Sequence, residues 1–362
     1  MKRLFLGLLV SCWACAPVMA AEDSMVMSLF DGTSEAGKVD TVSEDSDEGG
    51  IFSFLNLKMF KKTPAKLNVA DEKRLSPLEQ TIKLADSGDV SAQLLLGYSY
   101  LYGENGATAD YDKAFEYYAK AALQNDNIGL NNLGSLYYSG IGVSRNTAKA
   151  AILFEKSANL GNAEAAVNLG FVLVSGKGAR KDPALAMDYF EKAAAAKNPT
   201  AEFMLGYAYY SGKLRPQDYG AAAPLLKDAA AAGLDEAQYV LALMYINGQG
   251  FPQNYNNAVK NLRLAVAQGD VNSMVTLGDI LARGVKYNKD TYTAHVMFNL
   301  AAVRGAAGAA ERRDKLEERM KIDEILQAQA EAESYSPKLS ALSQYIRQTF
   351  GENIRYYIEK SQ

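Results

Sequence analysis

The stretch "NNLGSLYYSGIGVSRN", residues 131–146, contains the pattern that decides the fold. Its pair Leu133-Gly134 stands inside a segment that otherwise predicts a helix, where glycine is less favourable than alanine by roughly 1 kcal/mol. Two explanations compete: a close approach of two backbones at Gly134, or a glycine-rich loop that binds phosphate. The remainder of the chain distinguishes them.

The leucine–glycine pair recurs at an almost constant interval. It occupies positions 96–97, 133–134, 169–170, 205–206 and 277–278, with Leu241-Ala242 in the remaining place, so that successive pairs are 37 and then 36 residues apart. Another glycine follows six residues after the second residue of each pair. An Asp or Asn of the type that caps helices follows twelve or thirteen residues after that same residue. Alanines and a large apolar residue follow. Each unit therefore predicts helix A, a glycine-marked loop, helix B and a short turn.

The pattern A-x-x-x-L-G-x-x-Y-x-x-G, followed by K-A and K-A-A around an aromatic residue, is carried by "GLNNLGSLYYSGIGVSRNTAKAAILFEKSA" and "AAVNLGFVLVSGKGARKDPALAMDYFEKAA". It resembles the Sel1-like repeat family, a relative of tetratricopeptide repeats with a slightly longer unit. The resemblance covers residues 88–304 in six units. It implies an all-α fold, a right-handed α/α superhelix (solenoid) of about six helix-turn-helix repeats, in which each hairpin stacks on the next.

This interpretation makes Gly134 a packing glycine, which lets helices A and B approach closely. A phosphate loop is disfavoured because five residues, rather than four, separate the glycines of "GFVLVSGKG", and no Ser or Thr follows the lysine.

Different segments are expected outside the repeats. Residues 1–20 are predicted to be a signal peptide, because a basic start and a short apolar run precede the small residues "APVMAA". Residues 21–75 are expected to be a disordered acidic linker with a short apolar patch at 51–62. Residues 76–87 are predicted to be an N-capping helix. Residues 305–362 are predicted to be C-terminal capping helices that dock on the last repeat or, alternatively, bind a partner.

The signal peptide predicts export through the inner membrane, which yields a periplasmic or secreted protein. The alternative is acylation of Cys12, which would anchor the chain to lipid. Because Cys12 and Cys15 are the only cysteines and both fall in this segment, the mature chain is expected to have no disulfide and no thiolate nucleophile. No later apolar run approaches the roughly 18 residues of a membrane span, so no transmembrane segment is expected after cleavage.

Composition and residue types argue against catalysis and nucleic-acid binding. The chain has a net charge of −4 and no basic stripe, which disfavours nucleic acid as a partner. His295 is the single histidine, so the sequence contains no paired-histidine metal site and no Ser-His-Asp arrangement with a spare base. Several aspartates already take cap positions. We therefore expect no catalytic residue, no metal site and no cofactor.

One helix face remains as a candidate binding surface. In helix A the buried positions are expected at −5, −1 and +3 from the glycine, so that positions −2, +1 and +5 face the concave groove of the solenoid. Aromatic rings beside asparagines are typical of peptide-binding grooves, and packing between successive A helices is the alternative role for the same side chains. The predicted groove residues are Tyr98, Tyr102, Asn132, Asn168, Phe171, Met204 and Tyr207.

Together these expectations describe a non-catalytic scaffold or adaptor, in the bacterial envelope or secreted, that binds a protein or peptide partner in its groove. By resemblance, bacterial members of the family act in envelope assembly, signalling regulation, secretion or contact with a host. The alternative function is a peptidoglycan- or carbohydrate-binding or -cleaving protein. The exported members associated with that role are rich in disulfides, which this chain lacks.

Overall fold

The computed structural model describes residues 75–351 and 354–360. The predicted signal peptide and apolar patch lie outside these residues, as does the predicted linker except for its last residue. The described part of the chain forms seventeen α-helices, which confirms the predicted all-α class. Their bounds are α1 Pro77–Asp86, α2 Val90–Tyr102, α3 Tyr111–Leu123, α4 Asn127–Ser139, α5 Thr147–Asn159, α6 Ala163–Ser175, α7 Pro183–Ala195, α8 Pro199–Ser211, α9 Tyr219–Ala231, α10 Asp235–Asn247, α11 Tyr255–Ala267, α12 Val271–Arg283, α13 Thr291–Val303, α14 Ala309–Glu317, α15 Ile322–Ser334, α16 Ala341–Phe350 and α17 Arg355–Glu359.

The chain divides into two compact units, whose described residues are 75–161 in the first and 162–351 with 354–360 in the second. In the first unit α1 packs against α2, and two hairpins follow, α2 with α3 and α4 with α5. In the second unit helices α6 to α13 form four hairpins, which precede α14 to α17. Within each unit the second helix of one hairpin packs against the first helix of the next. The hairpins thus form the predicted solenoid of helix-turn-helix units.

Local sequence explains where the hairpin helices begin and end. All except α10 begin at an Asp or Asn whose side chain accepts a backbone N–H of the first turn. The first helix of each hairpin ends at a glycine in the left-handed conformation, such as Gly140 with φ +72°. A side chain at this position would strain the backbone, so glycine there fixes the end of the helix.

The glycine inside the first helix accommodates a bulky side chain rather than a second backbone. A Cβ atom at Gly134 would lie 2.9 Å from Cε1 of Phe154 and 3.3 Å from Cβ of Leu153, both on α5. The same pairing of a glycine with a ring occurs in three other hairpins: Gly97 with Tyr118, Gly170 with Phe190, and Gly278 with Phe298. The predicted backbone contact at Gly134 is therefore wrong. A close backbone contact lies five residues earlier and involves the preceding hairpin: a Cβ at Gly129 would lie 2.8 Å from the backbone nitrogen of Ala122 on α3.

The C-terminal helices occupy two places in the second unit. Helices α14 and α15 pack against α13, the last helix of the hairpins. Helices α16 and α17 instead contact α6, α8 and α10, which belong to earlier hairpins. The expectation that the whole of 305–362 docks on the last repeat therefore does not hold for α16 and α17. The reason is that their apolar and charged side chains have complementary partners on the earlier hairpins.

Candidate functional site

The candidate site is the surface of the second unit that is formed by the first helices of its hairpins, α6, α8 and α10. We call this surface the A face, and we call the described residues 335–351 and 354–360 the tail. Helix α17 packs against α6 and α8, while α16 contacts α6 and α10 through side chains. The tail therefore lies on the A face.

The tail sequence explains its two short amphipathic helices. Ser340 caps α16, since its hydroxyl accepts the N–H of Ser343 at 2.9 Å. Helix α16 ends at Phe350, where Gly351 has φ +96°, a conformation that favours glycine. The apolar residues Ile346, Phe350, Ile354 and Ile358 are all buried. These four side chains form the buried apolar side of the two helices.

Aromatic rings form the centre of this contact. The ring of Phe350 stacks on that of Phe171, with centroids 3.8 Å apart, and the ring of Tyr357 meets Phe171 edge-on at 5.0 Å. Such pairs contribute roughly 0.5–1.5 kcal/mol beyond the area that they bury. The Tyr207 hydroxyl donates to Oε1 of Glu359 at 2.7 Å. Phe171 and Tyr207, which directly follow the repeated glycine in the first two hairpins of this unit, thus both contact the tail.

Two adjacent carboxylates at the start of α10 bind the two arginines of the tail. Asp235 pairs with Arg347, and Glu236 accepts the Nε–H of Arg355 at 2.7 Å. Glu236 also accepts the backbone N–H of Ile354 at 2.9 Å. Both carboxylates are buried, and both lie in the first turn of α10, where the helix dipole favours negative charge. Charge complementarity therefore sets the register of the tail on the A face.

The tail also supplies a helix cap that α10 lacks. Where the other hairpin helices have an Asp or Asn cap, α10 has Leu234, which makes no side-chain cap hydrogen bond. The N–H of Asp235 donates instead to the Ser343 hydroxyl at 3.2 Å. The departure of Leu234 from the repeat pattern is thus compensated by a residue more than one hundred positions away.

The residues before α16 add hydrogen bonds to the turns between hairpins. The Tyr335 hydroxyl donates to the carbonyl of Val266 at the end of α11. The N–H of Ser340 donates to Oε1 of Gln268 at 2.9 Å. The hydroxyl of Ser340 donates to the carbonyl of Gly233 at 2.8 Å. The tail is therefore attached both to the A face and to two consecutive turns.

Burial shifts the ionisation of groups at this contact. Desolvation raises the pKa of Glu236 to about 7, against the opposing effect of the Arg355 guanidinium. Desolvation also raises the pKa of Tyr207, and its hydrogen bond to Glu359 adds to the increase. Burial raises the pKa of Tyr345 well above its ordinary value. These tyrosines are therefore neutral hydrogen-bond donors at physiological pH.

The predicted groove residues of the second unit have two different environments. Phe171 and Tyr207, at the +1 position, contact the tail. Asn168 and Met204, at the −2 position, are fully buried. A position three residues earlier on the same helix therefore belongs to the interior rather than to the surface that binds the tail.

The predicted groove residues of the first unit show a similar division. Tyr98 and Tyr102 are partly exposed, and their ring centroids lie 4.8 Å apart. Asn132 is buried and shares a hydrogen bond with Tyr118. Burial raises the pKa of Tyr102 to about 12, so that its hydroxyl remains protonated. This aromatic pair is the partly exposed portion of the predicted groove residues in the first unit.

The described residues contain neither a metal-binding cluster nor a helix that could span a membrane. Among them, no group of three or more His, Cys, Asp or Glu is placed to hold a metal ion. His295 is buried on α13, and its Nε2 lies 2.8 Å from Oε1 of Glu317 on α14. No described helix is both long and apolar enough to cross a membrane. The A face instead carries groups that can bind a polypeptide segment: aromatic rings that stack, adjacent carboxylates that pair with arginines, and carbonyl groups that accept hydrogen bonds.

Sequence reasoning missed the acidic part of the site. Counting from the repeated glycine identified Phe171 and Tyr207 but not Asp235 and Glu236. Two signals in the sequence point to this pair: the dipeptide "DE" begins a helix whose cap position holds an apolar residue, and the C-terminal segment carries two arginines eight residues apart. Neither signal belongs to the repeat pattern, so a search for the pattern alone does not find them.

Comparison with known proteins agrees with this architecture. The Sel1 repeat family matches residues 90–126, 128–162, 163–198, 199–234 and 235–270. A solved Sel1 repeat protein from Oxalobacter formigenes is 25% identical and covers 68% of this chain and 98% of its own, with a TM-score of 0.55. A protective antigen of uropathogenic Escherichia coli strains that displays an SLR fold is 24% identical, covering 78% of this chain and 65% of its own, with a TM-score of 0.52.

A curated relative matches only a short part of the chain. The DAP3-binding cell death enhancer 1 of Rattus norvegicus is 33% identical over 95 residues, which are 26% of this chain and 18% of that protein. The chain thus spans less than a fifth of the length of this relative.

The repeated hairpins define the chain as an α-solenoid. Residues 90–270 belong to the Sel1-like repeat family, whose members are generally protein-interaction scaffolds and whose fold is typically non-catalytic. The sixth hairpin, α12 with α13, lies beyond the matched segments and repeats the same geometry.

Proposed function

We propose that this protein is a non-catalytic scaffold that binds a protein or peptide partner on the first helices of its hairpins. The observation that carries the proposal is the tail, because the A face already holds a helical segment there. Helix recognition of this kind uses apolar anchors on one face of the bound helix, and Ile346 and Phe350 are such anchors. The general role of Sel1 repeat proteins supports the same function.

We further propose that the protein is exported through the inner membrane and acts in the periplasm or outside the cell. The basic start, apolar run and small residues within 1–20 support this location. Mass spectrometry of the mature N-terminus, after cell fractionation, tests it. A chain that begins at Ala21 is expected, whereas an acylated Cys12 or an unprocessed Met1 contradicts the proposal.

Site-directed photo-cross-linking in living cells tests the scaffold function. Tyr102 is replaced by a photo-reactive phenylalanine, and Tyr111, which is 44% exposed at the start of a second hairpin helix, receives the same replacement as the control. An adduct with another protein is expected from position 102 and not from position 111. Equal labelling at both positions, or none at either, contradicts the proposal.

Sedimentation with purified cell-wall sacculi separates this function from the peptidoglycan-binding alternative. The scaffold is expected to remain in the supernatant and to release no muropeptides. Co-sedimentation or muropeptide release would favour the alternative.

A further inference from the structure

We propose that the tail is a displaceable occupant of the A face and that the partner of this surface is a helical peptide of the same chemistry. That peptide carries two arginines eight residues apart with an aromatic residue between them. The inference rests on the proposed scaffold function, since it names the partner of the same surface.

Charge is the first argument. Asp235 and Glu236 form a buried pair of acidic side chains, and each of them pairs with one arginine of the tail. The corresponding first two positions of the other first helices in this unit hold no such pair: they are Ala163-Glu164 in α6, Pro199-Thr200 in α8 and Val271-Asn272 in α12. The acidic pair is therefore a feature of one position on the surface and selects for basic peptides there.

The one-sided dependence of the tail on the A face is the second argument. Helix α16 has 10 residues and α17 has 5, and isolated helices shorter than about 12–15 residues are marginal in water. The helicity of the tail therefore depends on the A face. The hairpins of the A face pack on one another along α7–α8 and α9–α10, and the tail is the last described segment of the chain. It can leave without breaking any hairpin.

The missing cap of α10 is the third argument, because it defines a further requirement for an occupant. When the tail leaves, the N–H of Asp235 loses the Ser343 hydroxyl as its acceptor. A partner segment satisfies the same group if it carries a Ser or Thr in the equivalent place. The tail itself gives the sequence pattern expected of such a partner. A residue with a hydroxyl group, as Ser343, is followed after four residues by an arginine, as Arg347. An aromatic residue follows three residues later, as Phe350, and a second arginine follows after five more, as Arg355.

Fluorescence anisotropy with a labelled synthetic peptide of residues 335–360 tests the inference on the full chain. In the wild type the tethered tail has an effective concentration of the order of millimolar, so the added peptide is expected to bind weakly. In the double variant R347E/R355E the peptide is expected to bind at least tenfold more tightly. The matched control K338E/K360E makes the same change in net charge at exposed lysines and is expected to bind like the wild type.

Two outcomes of this titration overturn the inference. One is that R347E/R355E binds the peptide no more tightly than the wild type. The other is that it binds equally well a peptide in which both arginines are replaced by glutamate. Circular dichroism of each variant verifies that the helices are intact.

A second measurement leaves the arginines unchanged. With a photo-reactive phenylalanine in place of Tyr207, irradiation is expected to link position 207 to residues 354–360 of the same chain, and saturating peptide is expected to divert the link to the peptide. Links that stay within the chain at saturating peptide, or that join two copies of the chain, overturn the inference. If those results occur while position 102 still captures a partner in cells, the scaffold proposal stands and only the inference fails.

Discussion

Substitution of Gly134 by alanine tests the packing of rings on glycines, which is the basis of the repeat. On an exposed helix this change stabilises by about 1 kcal/mol, because alanine has the higher helix propensity. In this protein the new Cβ would lie 2.9 Å from Cε1 and 3.0 Å from Cδ1 of Phe154, a fully buried ring. Overpacking of an interior costs typically 1–3 kcal/mol. With a cost of about 2 kcal/mol and a gain of about 1, G134A should destabilise the protein by about 1 kcal/mol.

The same substitution should have the opposite sign when the ring is removed. The fifth hairpin provides the precedent, because Ala242 stands in the glycine position there and Leu262 stands in the ring position. In an F154L background the new Cβ no longer meets an aromatic ring, while alanine keeps its higher helix propensity over glycine. G134A should therefore stabilise that protein by about 1 kcal/mol. The coupling energy between the two substitutions is then about 2 kcal/mol, within the range expected of residues in contact.

Urea unfolding of the four proteins, followed by circular dichroism, measures this cycle. Amide exchange of α4 and α5 verifies that the change is local, since repeat arrays can unfold in parts. G134V, which adds two more carbon atoms than alanine, should destabilise by more than G134A. An effect of G134A with the same sign in both backgrounds would refute the reasoning.

Three further predictions concern the tail and its partners. S343A should weaken the first turn of α10 by about 1 kcal/mol, as loss of a cap does, while Q344A at an exposed neighbour should not, and amide exchange at Asp235 distinguishes them. G351A should cost about 1–3 kcal/mol because its φ of +96° strains alanine, and the yield of cross-links between position 207 and the tail should fall. Because burial raises the folded-state pKa of Glu236 from 4.5 to about 7, the contribution of this group to folding stability is full below pH 4.5 and is lost as the pH rises through about 7. Urea unfolding as a function of pH should show this loss, and E236Q should abolish it.

The repeat was predictable from the sequence because its signals are local and periodic. Glycine spacing, cap residues such as Asn146 and alanine-rich second helices each define a hairpin within about 36 residues. The role of Gly134 was only partly predictable, since a small residue indicates a close contact without indicating whether the neighbour is a ring or a backbone. Here the neighbour is the ring of Phe154.

The candidate site was less predictable because it depends on contacts between distant residues. Counting helix positions from the repeated glycine identified Phe171 and Tyr207 as surface residues. The same count also selected Asn168 and Met204, which are buried. The 36-residue repeat pattern contains no signal that pairs Arg347 with Asp235, which is 112 residues away in the sequence. Only the charge complementarity and the apolar residue at cap position 234 carry that information, and both become interpretable once the tail is seen on the A face.

Hydrogen–deuterium exchange of the full chain tests most directly whether the tail occupies the A face. Two amides report on the contact: that of Ile354, which donates to Glu236, and that of Asp235, which donates to Ser343. In the wild type both should be protected, and in R347E/R355E both should lose protection together while α4 and α5 remain unchanged. A wild-type tail that exchanges as fast as an unstructured peptide, or an Asp235 amide that is indifferent to the arginine substitutions, would contradict the account.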